Sequence, residues 1–256
     1  MSTTPGEPHG RTWVTLVALG FLVASLVAVG VAVNRVAGSN SGAGTPTATP
    51  APTGTPTSPS SATPTPQLVA YADCSTATFG APLGPLDPPG NVHAYAAEPA
   101  MTIDTTKLYQ LTITTARGTM VACLQPDLAP RTVNVIVTLA RNHFYDGLKF
   151  HRVVAGFVVQ GGDPKGDGSG GPGFSFADEP VLNTYEDGSL AMANSGANTN
   201  GSQFFICIPG TGGAAGQCAT LPHQYNLFGK LQTGLDVAAK IQQGDVMQTV
   251  TVREQQ

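Results

Sequence analysis

Residues 13–33, from Trp13 to Val33, are apolar on every face and carry no charge. A helix needs about 20 such residues to cross a bilayer. This run predicts a transmembrane helix, bracketed by Arg11 and Arg35. It is longer than the apolar stretch of about 7–15 residues in a cleaved signal peptide. No convincing small-x-small cleavage site follows it before the stalk, so an uncleaved signal-anchor is expected. The pattern then disappears. Residues 38–66 hold only Gly, Ser, Asn, Ala, Thr and Pro. Such a stretch has nothing to bury against its ordering entropy. Periodicity returns at residues 109–115 (YQLTITT), which alternate apolar and polar as a half-buried strand does. Residues 119–124 run back after the turn at Ala116-Arg117-Gly118, giving a hairpin. Pro130 suits a first helical turn, and Val133, Ile136, Val137 and Ala140 follow at helical spacing. Short strands are expected at residues 149–154, 157–160, 189–193, 203–208, 226–230 and 247–252, and a second helix at 235–243. Two helices and about eight strands without β-α-β alternation point to a mainly antiparallel sheet or barrel.

These patterns divide the chain into a tail (1–12), an anchor (13–33), a stalk (34–66), a proline-rich approach (67–100) and one packed domain (101–256). Composition fits that division. Charged residues make up only 11% of the chain, against roughly 25% in an ordinary soluble one. The net charge of −4 and the absence of basic runs argue against nucleic acid as a partner. Arg11 and Arg35 nearly balance across the span, so charge alone does not orient it. The Ser/Thr/Pro stalk favours an extracytoplasmic domain on a single-pass cell-membrane anchor. The cysteines are Cys74, Cys123, Cys207 and Cys218, all beyond the span. An oxidising compartment would permit Cys74–Cys123 and Cys207–Cys218 bridges, but three pairings are open. Cys207, in an apolar run, could equally be a free buried thiol.

Two motifs are decoys. Gly166-Asp167-Gly168-Ser169-Gly170-Gly171 has the glycine spacing of a dinucleotide loop, but Pro172-Gly173 follows where a helix should open. It is read as a flexible surface loop. His9, His93, His143, His151 and His223 have no metal-ligand spacing with a Cys or carboxylate, so no metal is expected.

One ordered set of motifs is specific. Phe150-His151-Arg152-Val153-Val154 precedes Gly156-Phe157-Val158-Val159-Gln160-Gly161-Gly162-Asp163. Leu190-Ala191-Met192-Ala193-Asn194-Ser195-Gly196 follows, then Asn198-Thr199-Asn200-Gly201-Ser202-Gln203-Phe204-Phe205-Ile206, then Phe228-Gly229-Lys230. Together these resemble the cyclophilin family of peptidyl-prolyl cis/trans isomerases, of a bacterial kind, over residues 102–252. The resemblance implies an all-β-dominated fold: a closed eight-stranded antiparallel β-barrel capped by two α-helices. It implies an enzyme that rotates X-Pro bonds in Pro-containing polypeptides and needs no cofactor, metal or nucleophile. Joined to the anchor, it implies a folding helper for exported or envelope proteins. A module that holds proline segments with little turnover is the alternative.

By the same resemblance, Arg152 would donate to the prolyl nitrogen. Gln160 would orient it and contact the substrate carbonyl. Phe157, Val158, Phe205 and Leu221 would line the proline pocket. Asn194 would pair with the peptide through its backbone, and Ala193 and Gln203 would shape the next subsite. There are departures. Val158 stands where the family often has Met, Tyr225 where many members have His, and Thr220 where many eukaryotic members have Trp. The inhibitor cyclosporin A uses that indole, so its binding is expected to be weak.

Overall fold

A computed structural model of the chain describes residues 68–256. The predicted tail and anchor and all of the stalk lie outside the described residues. Among the described residues, no helix is long and apolar enough to cross a membrane.

The elements run β1 (Phe79–Pro82), β2 (Tyr109–Thr115), β3 (Gly118–Leu124), α1 (Pro130–Arg141), β4 (Arg152–Val154), β5 (Val158–Gly161), β6 (Ser189–Met192), β7 (Phe204–Cys207), β8 (Leu227–Thr233), α2 (Leu235–Ala238) and β9 (Thr249–Gln255). The strands form one sheet in the order β1-β9-β2-β3-β8-β6-β7-β5-β4, with every pair antiparallel. β2 buries Tyr109, Leu111, Ile113 and Thr115 and leaves the residues between them half-exposed, as its alternation requires.

The expected closed, eight-stranded barrel is corrected on two points. The sheet has nine strands, and its end strands β1 and β4 do not pair with each other. The reason lies in β9. One of its edges is taken by β2, and the other by β1, an extra strand from the proline-rich segment. Pro82 is tolerated there because β1 is an edge. On the β4 side, residues 147–150 meet residues 244–247, just upstream of β9, through scattered backbone bonds. Gly147 N–H donates to the Met247 carbonyl (2.8 Å) and Phe150 N–H to that of Asp245 (2.9 Å). The two ends approach without forming a ladder.

Helix α1 lies against β8 and β9 with Thr132 to Ala140 all buried, wider than the apolar stripe that predicts it. Its N-cap is Ala129, which offers no side-chain acceptor. Glu179 fills that role from a distant loop, accepting from Arg131 N–H (2.9 Å), Thr132 N–H (2.8 Å) and the Thr132 hydroxyl (2.6 Å). Helix α2 stops at Ala238 rather than reaching residue 243. Past Ala239 its hydrogen bonds tighten to i→i−3 spacing, and the chain turns at Gly244 (φ +96°) to bond to Phe150.

Residues 68–100, set apart in the sequence, are laid along the sheet as an irregular strap. Irregular backbone needs partners wherever it is buried. Buried amide side chains supply them here. Asn183 accepts from Val69 N–H (3.3 Å), Gln125 from Ala72 N–H (2.7 Å) and Asn142 from Leu86 N–H (2.7 Å). A disulfide joins Cys74 in the strap to Cys123 in β3.

Candidate active site

Strands β6 and β7 are buried along their full length and β5 at every residue but the half-buried Gln160, as strands covered on both faces are. Side chains alternate between the faces. Val159, Ile206 and Leu190 lie side by side and enter the main core. Their neighbours form a second row on the other face. Arg152 is opposite Gln160, Gln160 opposite Phe205, Phe205 opposite Ala191, and Ala191 opposite Leu227. Phe205 and Ala191 join Val158, Cys207 and Cys218 in a separate cluster, against which Phe157, Ala193, Leu221 and Tyr225 are packed. Register alone therefore carries one arginine, one glutamine and an apolar floor onto a common surface.

That surface holds a pocket of about 350 Å³. Arg152, Phe157, Val158, Gln160, Ala193, Asn194, Phe205, Leu221 and Tyr225 line it. The structure thus brings together every site residue expected from the sequence except Gln203, which stands next door. The Arg152 guanidinium is exposed at the rim and donates to Gln160 Oε1 (3.2 Å). Gln160 Nε2 donates to Gln203 Oε1 (3.1 Å), and Gln203 Nε2 to the carbonyls of Gly168 (2.9 Å) and Gly170 (2.8 Å). One hydrogen-bonded line therefore runs from the guanidinium to a fixed loop.

The apolar wall is braced from behind. The Tyr225 ring meets Phe205 edge-on at 5.6 Å, and the buried Tyr185 hydroxyl donates to the Tyr225 carbonyl (2.8 Å). Burial pushes the Tyr185 phenol up to about 12, so it stays a donor at any working pH. Asn194 turns its amide inward to the Gln224 carbonyl (3.1 Å). Among the described residues no backbone group bonds to its main-chain N–H or carbonyl. Thr220 is exposed, is not part of the pocket lining, and donates to the Gln217 carbonyl (2.7 Å).

The loop read as a free surface turn is instead part of the site. Gly168, Ser169, Gly170 and Gly171 line a polar hollow of about 210 Å³ that shares Gln160, Ala193 and Asn194 with the apolar pocket. Asp163 holds the loop, accepting from the N–H groups of Lys165 (2.8 Å), Asp167 (3.2 Å) and Gly168 (2.6 Å). Burial raises the Asp163 pKa, but these backbone donors outweigh it and the net direction is down. A Cβ at position 170 would sit 1.9 Å from Asp163 Oδ1, so this glycine is required by close approach. The sequence signal was present in the same short stretch: an aspartate just before a glycine-rich run, with Gln203 in reach. Among the described residues, no group of three or more His, Cys, Asp or Glu could hold a metal ion.

The arrangement offers a charged donor at the rim of an apolar-floored pocket, beside main-chain groups of Asn194 that no backbone group among the described residues occupies. Comparison with known proteins agrees with it. Residues 110–255 match the family model for cyclophilin type peptidyl-prolyl cis-trans isomerase/CLD. A peptidyl-prolyl cis-trans isomerase of Helicobacter pylori is 43% identical over 146 residues, covering 54% of this chain and 83% of the relative. Peptidyl-prolyl cis-trans isomerase B of Bacillus subtilis is 45% identical over 134 residues, covering 50% of this chain and 87% of the relative. Among solved structures, a cyclophilin type isomerase of Cryptosporidium parvum aligns with a TM-score of 0.50 at 29% identity, over 57% of this chain and 97% of that one. The sheet, the pocket and these relatives agree, and the chain belongs to the cyclophilin-type peptidyl-prolyl cis/trans isomerases.

Proposed function

We propose that this isomerase is held at a cell membrane by residues 13–33, faces an oxidising extracytoplasmic space, and rotates X-Pro bonds in exported or envelope proteins. Isomerisation of X-Pro bonds is its family's activity. The setting and the residue roles are the added reading. Disulfides persist in oxidising compartments and are rare in the cytosol. Both bridges, Cys74–Cys123 and Cys207–Cys218, support export in that way.

Amide resonance makes the X-Pro barrier about 18–20 kcal/mol. No covalent bond has to break. The enzyme has to favour the twisted state over both planar ones. In the twisted state the prolyl nitrogen keeps its lone pair and becomes an acceptor. Arg152 donates an N–H to it there and has no such acceptor in either planar state. Gln160 holds the guanidinium and contacts the substrate carbonyl. Phe157, Val158, Phe205, Leu221 and Tyr225 grip the proline ring while the preceding residue turns, and Asn194 pairs with the peptide backbone. The observation that carries this reading is the Arg152–Gln160 pair at the rim of the apolar pocket.

Two measurements test the reading from different sides. Protease added to intact cells should release the soluble domain by cutting the uncharged stalk; a domain that stays cell-bound until lysis contradicts the orientation. Cyclosporin A should inhibit only weakly, because Thr220 supplies no indole beside the pocket. A titration giving nanomolar-class inhibition would reject that assignment.

A further inference from the structure

We propose that the Cys207–Cys218 disulfide is a positioning device for catalysis, holding the 209–221 loop so that Leu221 and Phe157 stand as a wall of the proline pocket. This rests on the pocket assignment above. Cys207 ends β7, two residues after Phe205 and so on the same face, and it is paired opposite Val158. Its sulfur therefore belongs to the same buried cluster as Val158 and Phe205, which form the pocket floor. Cys218 lies in a 3-10 turn (Gln217–Thr220), and Leu221 N–H donates to its carbonyl (2.9 Å). Where Cys218 is held, Leu221 follows. Both cysteines are buried, at 0% and 1% exposure, in the cluster that contains Val158 and Phe205.

The loop has little else to order it. Between Pro209 and Gln217 there is no large apolar side chain, and Gly210, Gly212, Gly213 and Gly216 fall in that stretch. Glycine loses the most backbone freedom on ordering. Gln217 N–H reaches the Gly156 carbonyl (3.0 Å) and Gly216 N–H reaches Asp187 Oδ1 (3.1 Å). The first of these ties the loop to the turn that carries Phe157. One backbone bond, one bond to the Asp187 carboxylate and the covalent bridge thus hold one side of the pocket. Arg152 and Gln160 hang from β4 and β5 and do not depend on the loop. The bridge should therefore govern how well the proline is bound, and not the step in which it is twisted.

The test uses the full chain carrying Cys74→Ala and Cys123→Ala, which leaves only the bridge of interest. A phosphine converts it to two thiols, water supplying two protons and the oxygen of the phosphine oxide formed. KM for an X-Pro peptide should rise about tenfold, the equivalent of re-ordering roughly one residue at each binding event, with kcat within about twofold. Reoxidation of the same sample should restore KM. A direct Cys207→Ala/Cys218→Ala variant should repeat the split if the first background does not fold. An unchanged KM overturns the proposal, as does a fall in kcat together with loss of the tertiary signal. Arg152→Ala run alongside separates the two readings: if it keeps full kcat, the catalytic reading of the site itself fails, whatever the bridge does.

Discussion

Arg152→Ala should lower kcat/KM for an X-Pro peptide by about 100-fold, and by no less than about tenfold. A hydrogen bond from a charged donor is worth about 1.5–3 kcal/mol, and preorganised donors aimed at a developing acceptor reach about 2.7–4. Each 1.36 kcal/mol is a factor of about ten in rate. The loss should fall on kcat, because the prolyl nitrogen accepts only when the amide is twisted. Arg152 is exposed and, among the described residues, bonds to one side chain, Gln160, so the urea midpoint should not move. Arg152→Lys should recover part of the rate at best. An ammonium on a flexible stem keeps the charge but does not offer the planar fork that Gln160 holds. A protease-coupled assay on the three proteins reads all of this. Equal rates for wild type and Arg152→Ala would remove Arg152 from the mechanism.

The largest effect on stability belongs to the other bridge. Cys74 and Cys123 are separated by 49 residues and close the strap onto β3. For a loop of that length the chain-entropy relation gives a stabilisation of about 4 kcal/mol. Replacing both by Ala should lower Tm by roughly 8–16 °C, at about 2–4 °C per kcal/mol for a domain of this size. The strap is held otherwise by the pairing of β1 with β9, by the Arg131–Glu98 ion pair and by hydrogen bonds to and from Asn183, Gln125 and Asn142, each hydrogen bond worth about 1 kcal/mol. None of the pocket residues lies on it, so kcat/KM well below the melting range should stay within about twofold of wild type. A Tm loss under about 3 °C would show that the strap is fixed by these non-covalent contacts and not by the bridge.

Some of this was legible in the chain, and the reason is local. β2 follows from strict alternation and appears at the residues expected, because one of its faces is buried. Arg152, Val158, Gln160 and Phe205 sit in short strands whose register fixes their neighbours, and Phe157, Ala193 and Asn194 lie just beyond the ends of β5 and β6, so motifs carried most of the site. Elements that depend on distant partners were not legible. β1 exists because β9 leaves an edge open, and nothing within Phe79–Pro82 says so. Glu179 caps α1 across 47 residues of chain. The 166–171 loop reads as free until Asp163 is seen to hold it. Helix α2 ends early because Gly244 must turn toward Phe150. Buried amides that serve the strap look, in sequence, like ordinary polar residues.

The central claim is that the pocket binds proline and Arg152 turns the bond. Exchange NMR on an X-Pro peptide reads both in one sample, giving Kd from the shifts and the on-enzyme cis/trans rate from the cross-peaks. The account predicts that Arg152→Ala keeps Kd within about threefold while the rate at saturation falls about 100-fold, the signature of an interaction made only in the transition state. A Kd that weakens in step with the rate, or a rate that does not fall, would contradict it.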